Sequence, residues 1–133
     1  MYLNEYGKFG ENFAFNYLKK MGYKIIAKNF VGTVGEVDIV AIETKLARKK
    51  SGDFDKMSKL IQNEDVLCFI EVKSRNNTDY GNPSDAVDYS RQRKYYSLSY
   101  EFMTKNNLKD YQHRFDIIEV FGKNEINHIK NAF

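Results

Sequence analysis

Tryptophan is absent, and proline and cysteine occur once each, as Pro83 and Cys68. One cysteine excludes an internal disulfide and a thiolate metal framework, which makes a reducing cytosol the expected compartment. A single proline beside 10 Tyr and 10 Phe excludes a proline-rich disordered chain. No apolar run approaches the ~18 residues of a membrane-spanning helix, and the start, MYLNEYGKFGEN, carries no hydrophobic signal segment. Internal repeats and low-complexity tracts are missing too. Net charge is small: 21 Lys+Arg against 18 Asp+Glu give +3. That balance permits a nucleic-acid partner without pointing to one, because a basic footprint is usually a local patch.

What is present suits one α/β domain over residues 1–133. The chain is 42% hydrophobic with a mean hydropathy of −0.62, enough for a core beneath a solvated surface. Tyr6, Phe9, Phe13, Ala14, Tyr17, Leu18 and Met21 recur at helical spacing, and Gly22 supplies a stop. KIIAKNF (24–30) reads as an edge strand and GEVDIVAI (35–42) as a better one. VLCFIEVK (66–73) is nearly all apolar, as a central strand covered on both faces would be. Between the last two lies a polar, lysine-rich excursion, residues 43–65, expected to be irregular. Its basic residues either grip a nucleic-acid backbone or are simply solvated. Ser84 can cap a helix running to about Lys105, where Asn106 and Asn107 end it. RFDIIEVF (114–121) reads as a further strand, and residues 125–133 as a last strand or hook. The order implies a mixed central sheet flanked by helices.

Polar residues fall where a sheet should be apolar. Period-two alternation sends Glu71 and Lys73 to one face, roughly 6.6 Å apart along their strand. Burying an acid and an amine there is costly unless they are paired or ligate a metal. Asp38 is the same anomaly in the preceding long strand, grouped by alternation with Glu36 and Val40. Were the strands neighbours, Asp38 and Glu71 would converge as a Mg²⁺ site requires. Lys73 beside them could serve an attacking water or neutralise charge on a phosphate. The alternative is an ion pair in a structural network. Glu11, at the margin of the first helix's apolar stripe, is either a third carboxylate or a solvated one. In SRQRK, Arg91 falls on the apolar face of its helix, where a guanidinium wants an anion. Gln92, Arg93 and Lys94 follow it, and Arg75 is also placed to meet a phosphate. His113, His128 and Cys68 lack ligand spacing and read as structural.

Taken together, GKFGENFAFNYL, GEVDIVA, FIEVKSR, YGNPSDAV, SRQRK, RFDIIEV and IKNAF resemble, in order and over nearly the whole chain, the bacterial YraN family. That family belongs to the restriction-endonuclease-like superfamily and is similar in its core to archaeal Holliday-junction resolvases. The resemblance implies a PD-(D/E)xK nuclease fold and a nuclease of structured or branched DNA. It places Glu11, Asp38, Glu71 and the Val72 carbonyl at Mg²⁺ (or Mn²⁺), with Lys73 at the water. It matches Gln92 to the glutamine of the second helix and leaves Arg75, Arg91, Arg93 and Lys94 for nucleic acid. Arg91 stands where relatives usually have lysine, and the 43–65 excursion replaces what is commonly a tight hairpin. A homodimer is implied by analogy alone. A nucleic-acid-binding module without catalysis is the rival reading.

Overall fold

The computed structural model describes residues 2–52, 65–75, 89–122 and 125–133. Among them are three helices, α1 (Tyr2–Lys20), α2 (Lys45–Ser51) and α3 (Tyr89–Lys105). Five strands follow the same chain order: β1 (Lys24–Val31), β2 (Glu36–Glu43), β3 (Val66–Arg75), β4 (Gln112–Phe121) and β5 (Glu125–Ile129). They form one mixed sheet in the order β1-β2-β3-β4-β5. Only the β3–β4 pair is parallel, and α3 lies on the connection between those strands.

Two apolar layers sandwich the sheet. Ala14 and Leu18 of α1 and Ala47 of α2 pack with Ile39, Ala41, Cys68, Ile70, Ile118 and Val120. Tyr95, Leu98 and Phe102 of α3 pack with Val40, Leu67, Phe69 and Phe115 on the other side. Strand β3 is therefore central and covered on both faces, as its apolar run predicts. Helix α1 ends as expected at Gly22, whose φ of 94° is left-handed. The amide of Tyr23 donates to Leu18 O (2.9 Å) and that of Gly22 to Lys19 O (3.0 Å), a Schellman closure. Asn107 (φ 55°) ends α3 in the same manner, with Leu108 N donating to Met103 O.

Two expectations are corrected. The excursion is not irregular throughout: Glu43 closes β2, and residues 45–51 coil into α2. Thr44 caps that helix by accepting from Ala47 N (3.1 Å), and the methyl of Ala47 is buried. Arg48 and Lys50 there contact Glu43 and the Lys20 carbonyl, so those two side chains are engaged with the protein itself. Residues 53–64 lie outside the described part, as do Ser84 and Val87 at the expected start of the second long helix. Strict alternation along β2 also fails. Val37 packs in the same α3-side cluster as Val40 and Ile42. The break falls at Asp38, where pairing with β1 skips from Lys28↔Ile39 to Phe30↔Val37. Between those pairs, opposite Asp38, Asn29 takes a left-handed φ of 53°.

Candidate active site

The β2–β3 ladder runs from Glu43↔Val66 to Ile39↔Ile70 and stops there. The next residues along each strand are Asp38 and Glu71. Instead of continuing the ladder, Asp38 Oδ2 accepts from the Val72 amide at 2.8 Å. The carboxylate thus satisfies a backbone donor that the diverging strands leave open. Asp38 and Glu71 line a cleft of about 290 Å³ together with Glu36, Arg91, Lys94 and Tyr95. The convergence expected of the two acids is present.

Charge inside this cleft is unbalanced. Burial raises the Asp38 carboxyl, and Glu11, Glu71 and Glu36 raise it further against the Val72 hydrogen bond, to about 7. Glu71 is 8% exposed. Its Oε1 accepts from Arg91 Nη1 at 2.7 Å, while its buried Oε2 has no hydrogen-bond partner. An orphaned carboxylate oxygen at this depth costs about 1–3 kcal/mol or more, and it is the kind of donor a hard cation takes up. Glu11 is half-buried at the edge of α1. With its amide nitrogen turned toward them, Asn29 donates to Glu36 Oε1 (3.0 Å) and Glu11 Oε2 (3.2 Å). Glu36 and Glu11 thus surround Asp38 electrostatically, and one amide ties them together.

The remaining residues separate by helix face and strand position. Arg91 meets an anion as expected of it, but the anion is Glu71. Lys94, one turn on, also faces the cleft. Arg93 points elsewhere and lies over the Tyr89 ring (5.3 Å). Gln92 is half-buried and does not line the cleft. Lys73 is half-buried and in register with Glu119 of β4. Arg75 Nε donates to Glu119 Oε2 at 3.2 Å, so its guanidinium is already in an ion pair. No group of three or more His, Cys, Asp and Glu side chains among the described residues is arranged to hold a metal. Asp38 and Glu71 bring carboxylate oxygens to one cleft, the ligand type that a hard divalent cation takes when waters complete its shell.

A second polar cluster, hidden from residue spacing, joins Glu43 at the other end of β2 to side chains of β4, β5 and the residues after it. Arg114 Nη1 and Nη2 donate to Glu43 Oε1 (2.8 Å) and Oε2 (2.9 Å), and its Nε donates to Asp116 Oδ1 (2.9 Å). Lys130 donates to Glu43 Oε2 (2.9 Å), and the Asn131 amide to Asp116 Oδ1 (3.0 Å). His128 meets Asp116 at 2.8 Å and Tyr17 at 3.1 Å, consistent with a structural role. Burial would raise the Glu43 carboxyl, yet hydrogen bonds from Arg114 and Lys130 hold it down at about 2. The alternating charges of RFD were the available signal.

Comparison with known proteins covers almost the whole chain. The family model described as "Uncharacterised protein family UPF0102" matches residues 10–120. The UPF0102 protein of Caldanaerobacter subterraneus subsp. tengcongensis is 39% identical, over 96% of this chain and 93% of the relative. That of Clostridioides difficile is 39% identical over 97% and 96%, and that of Persephonella marina 34% over 96% and 91%. With the match spanning both the acidic cleft and most of the sheet around it, the chain belongs to the UPF0102 family, the YraN family its sequence resembles.

Proposed function

We propose that this protein is a Mg²⁺-dependent nuclease built on a PD-(D/E)xK core, acting on structured or branched DNA. The observation that carries the reading is the convergence of Asp38 and Glu71 where β2 and β3 part, with a buried Glu71 oxygen left unbonded. Asp38, Glu71 and the Val72 carbonyl would hold the metal, with Glu11 at the edge of the set. The bound cation supplies positive charge that favours ionisation of water and offsets charge on the phosphate. Lys73 orients the water attacking in line. Its oxygen bonds to phosphorus while the bond to the 3′ oxygen breaks, and the departing oxygen takes up a proton. A 5′-phosphate and a 3′-hydroxyl result. Arg91 and Lys94 receive the phosphate, Arg91 by exchanging the Glu71 carboxylate for it.

The test is cleavage of a labelled four-way junction, with duplex and single strand alongside, in Mg²⁺ and in Mn²⁺. Metal-dependent cutting that Asp38→Asn and Lys73→Ala each reduce at least a hundredfold is the expected result. A second reading is a binding module that keeps the fold without cutting. The Arg91–Glu71 pair favours it, since that guanidinium already neutralises one catalytic acid. Salt-sensitive binding with no cutting in either metal selects this alternative.

A further inference from the structure

Helix α3 presents a second face that the cleft does not use. Tyr89, Arg93, Tyr96 and Tyr100 follow at steps of four, three and four residues, which sets them on one stripe. That stripe lies opposite the buried Tyr95, Leu98 and Phe102. Tyr89 is 72% exposed, Tyr100 68% and Tyr96 46%. Three tyrosines so displayed on one helix are an apolar cost to a lone protein and mark a contact surface. Arg93 lies over Tyr89, so cation and ring already stack. Residues 89–100 carry Arg91, Arg93 and Lys94 and no acid. The next residue, Glu101, is engaged by the Thr33 amide and hydroxyl. At the far end Tyr100 borders an apolar hollow of about 390 Å³ with Val34 and Thr104.

Aromatic rings interleaved with cations, with no acid between them, suit a strand of nucleic acid whose bases are unpaired. The spacing selects the same partner. Along the helix Tyr89 and Tyr96 are about 10 Å apart and Tyr96 and Tyr100 about 6 Å. Stacked bases rise ~3.4 Å per step, so these rings match an extended strand rather than an intact duplex, whose base faces are covered. The cleft cations Arg91 and Lys94 project from the same turns. We propose that the outer face of α3 is a stacking platform for an unpaired DNA strand flanking the phosphate in the cleft. The proposal rests on the nuclease reading for which phosphate lies in the cleft. It narrows the substrate to DNA with a single-stranded flank beside the scissile bond.

Binding without divalent metal separates the two claims. The probes are a fluorescent oligo-thymidine, an oligo-uridine and a blunt duplex, read by anisotropy at several salt concentrations. Tyr89→Ala and Tyr100→Ala should each weaken oligo-thymidine binding about tenfold and lower the ratio of single-strand to duplex affinity. Tyr89→Phe and Tyr100→Phe, which keep the ring, should retain binding. Both positions are exposed, so the alanine variants are expected to fold, and circular dichroism checks this. Tyr96 is left intact because it packs 5.0 Å from Phe115. Unchanged oligo-thymidine affinity in the alanine variants overturns the platform whatever the outcome of the cleavage assay. So does a wild-type dimer that these variants convert to monomer, which would make the face a contact between copies. Tighter wild-type binding of oligo-uridine than of oligo-thymidine overturns the assignment to DNA.

Discussion

At Asp38 one carboxyl group couples ionisation to folding. In the folded chain it keeps its proton up to about pH 7, against 3.8 for the free group. Between those values the folded state holds more protons than the unfolded one, so stability falls as pH rises through that window. The loss across that window is on the order of 4 kcal/mol. Asp38→Asn keeps an oxygen to accept from Val72 N and carries no charge. We expect it to melt above the wild type at pH 8 and close to it at pH 4–5, read by thermal denaturation in EDTA. Added Mg²⁺ should raise the melting temperature of the wild type at pH 8 and leave Asp38→Asn nearly unmoved. Arg91 acts on the same balance. Its guanidinium is half-exposed, so the ion pair with Glu71 contributes only about 1 kcal/mol after solvent screening. Arg91→Ala removes the cleft's bound counterion, and the alkaline loss of stability should become steeper. Arg91→Lys should lie between.

Helix α1 passes close to β3 at Gly10. A Cβ there would collide with Ser74 Oγ and lie 3.9 Å from a Val72 methyl. The close approach brings Glu11 to the edge of the acidic cleft. Gly10→Val should cost about 1–3 kcal/mol by overpacking, read as a lower urea midpoint. Ser74→Ala, which removes the colliding oxygen, should recover part of that loss in a double-mutant cycle. Similar recovery in an unrelated background would sink the contact argument. The C-terminal strand is held by a different force. Arg114 and Lys130 bind Glu43, and Arg114, His128 and the Asn131 amide bind Asp116. Arg114→Leu leaves both carboxylates buried without their shared cation, a change of about 3–5 kcal/mol. Denaturant unfolding should show it at pH 7.

For the molecule as a whole, the two polar clusters set opposite limbs of the pH profile. Glu43, held at about 2, contributes stability that is present above its unfolded value near 4.5 and is lost as pH falls toward 2. Asp38 erodes stability from about 4 to 7. Their sum predicts a stability maximum near pH 4 in EDTA, with the alkaline limb flattened in Asp38→Asn. A profile rising steadily to pH 8 would contradict the burial assigned to Asp38. Binding to nucleic acid, in turn, should weaken steeply with salt, because neutralised phosphates release counterions. Overall charge of only +3 makes that slope a report on local patches, α3 above all.

Period and turn chemistry determined much of the architecture. The stop at Gly22, the apolar run of β3 and the asparagines after α3 each act within a few residues, so local sequence suffices for them. Glu71 and Asp38 stood out for a similar reason, as charges inside strands that otherwise read as core. Their meeting required tertiary structure, because β2 and β3 are separated by 22 residues along the chain, and nothing in either strand states its neighbour or register. The facing of Val37 also escaped alternation, which breaks at Asp38, where pairing with β1 is interrupted opposite Asn29. The partner of Arg91, the pairing of Arg75 with Glu119 and the Glu43–Arg114–Asp116 cluster were likewise decided by packing. A charge in a sequence announces that it needs a partner; which group answers depends on distances that only the folded chain sets.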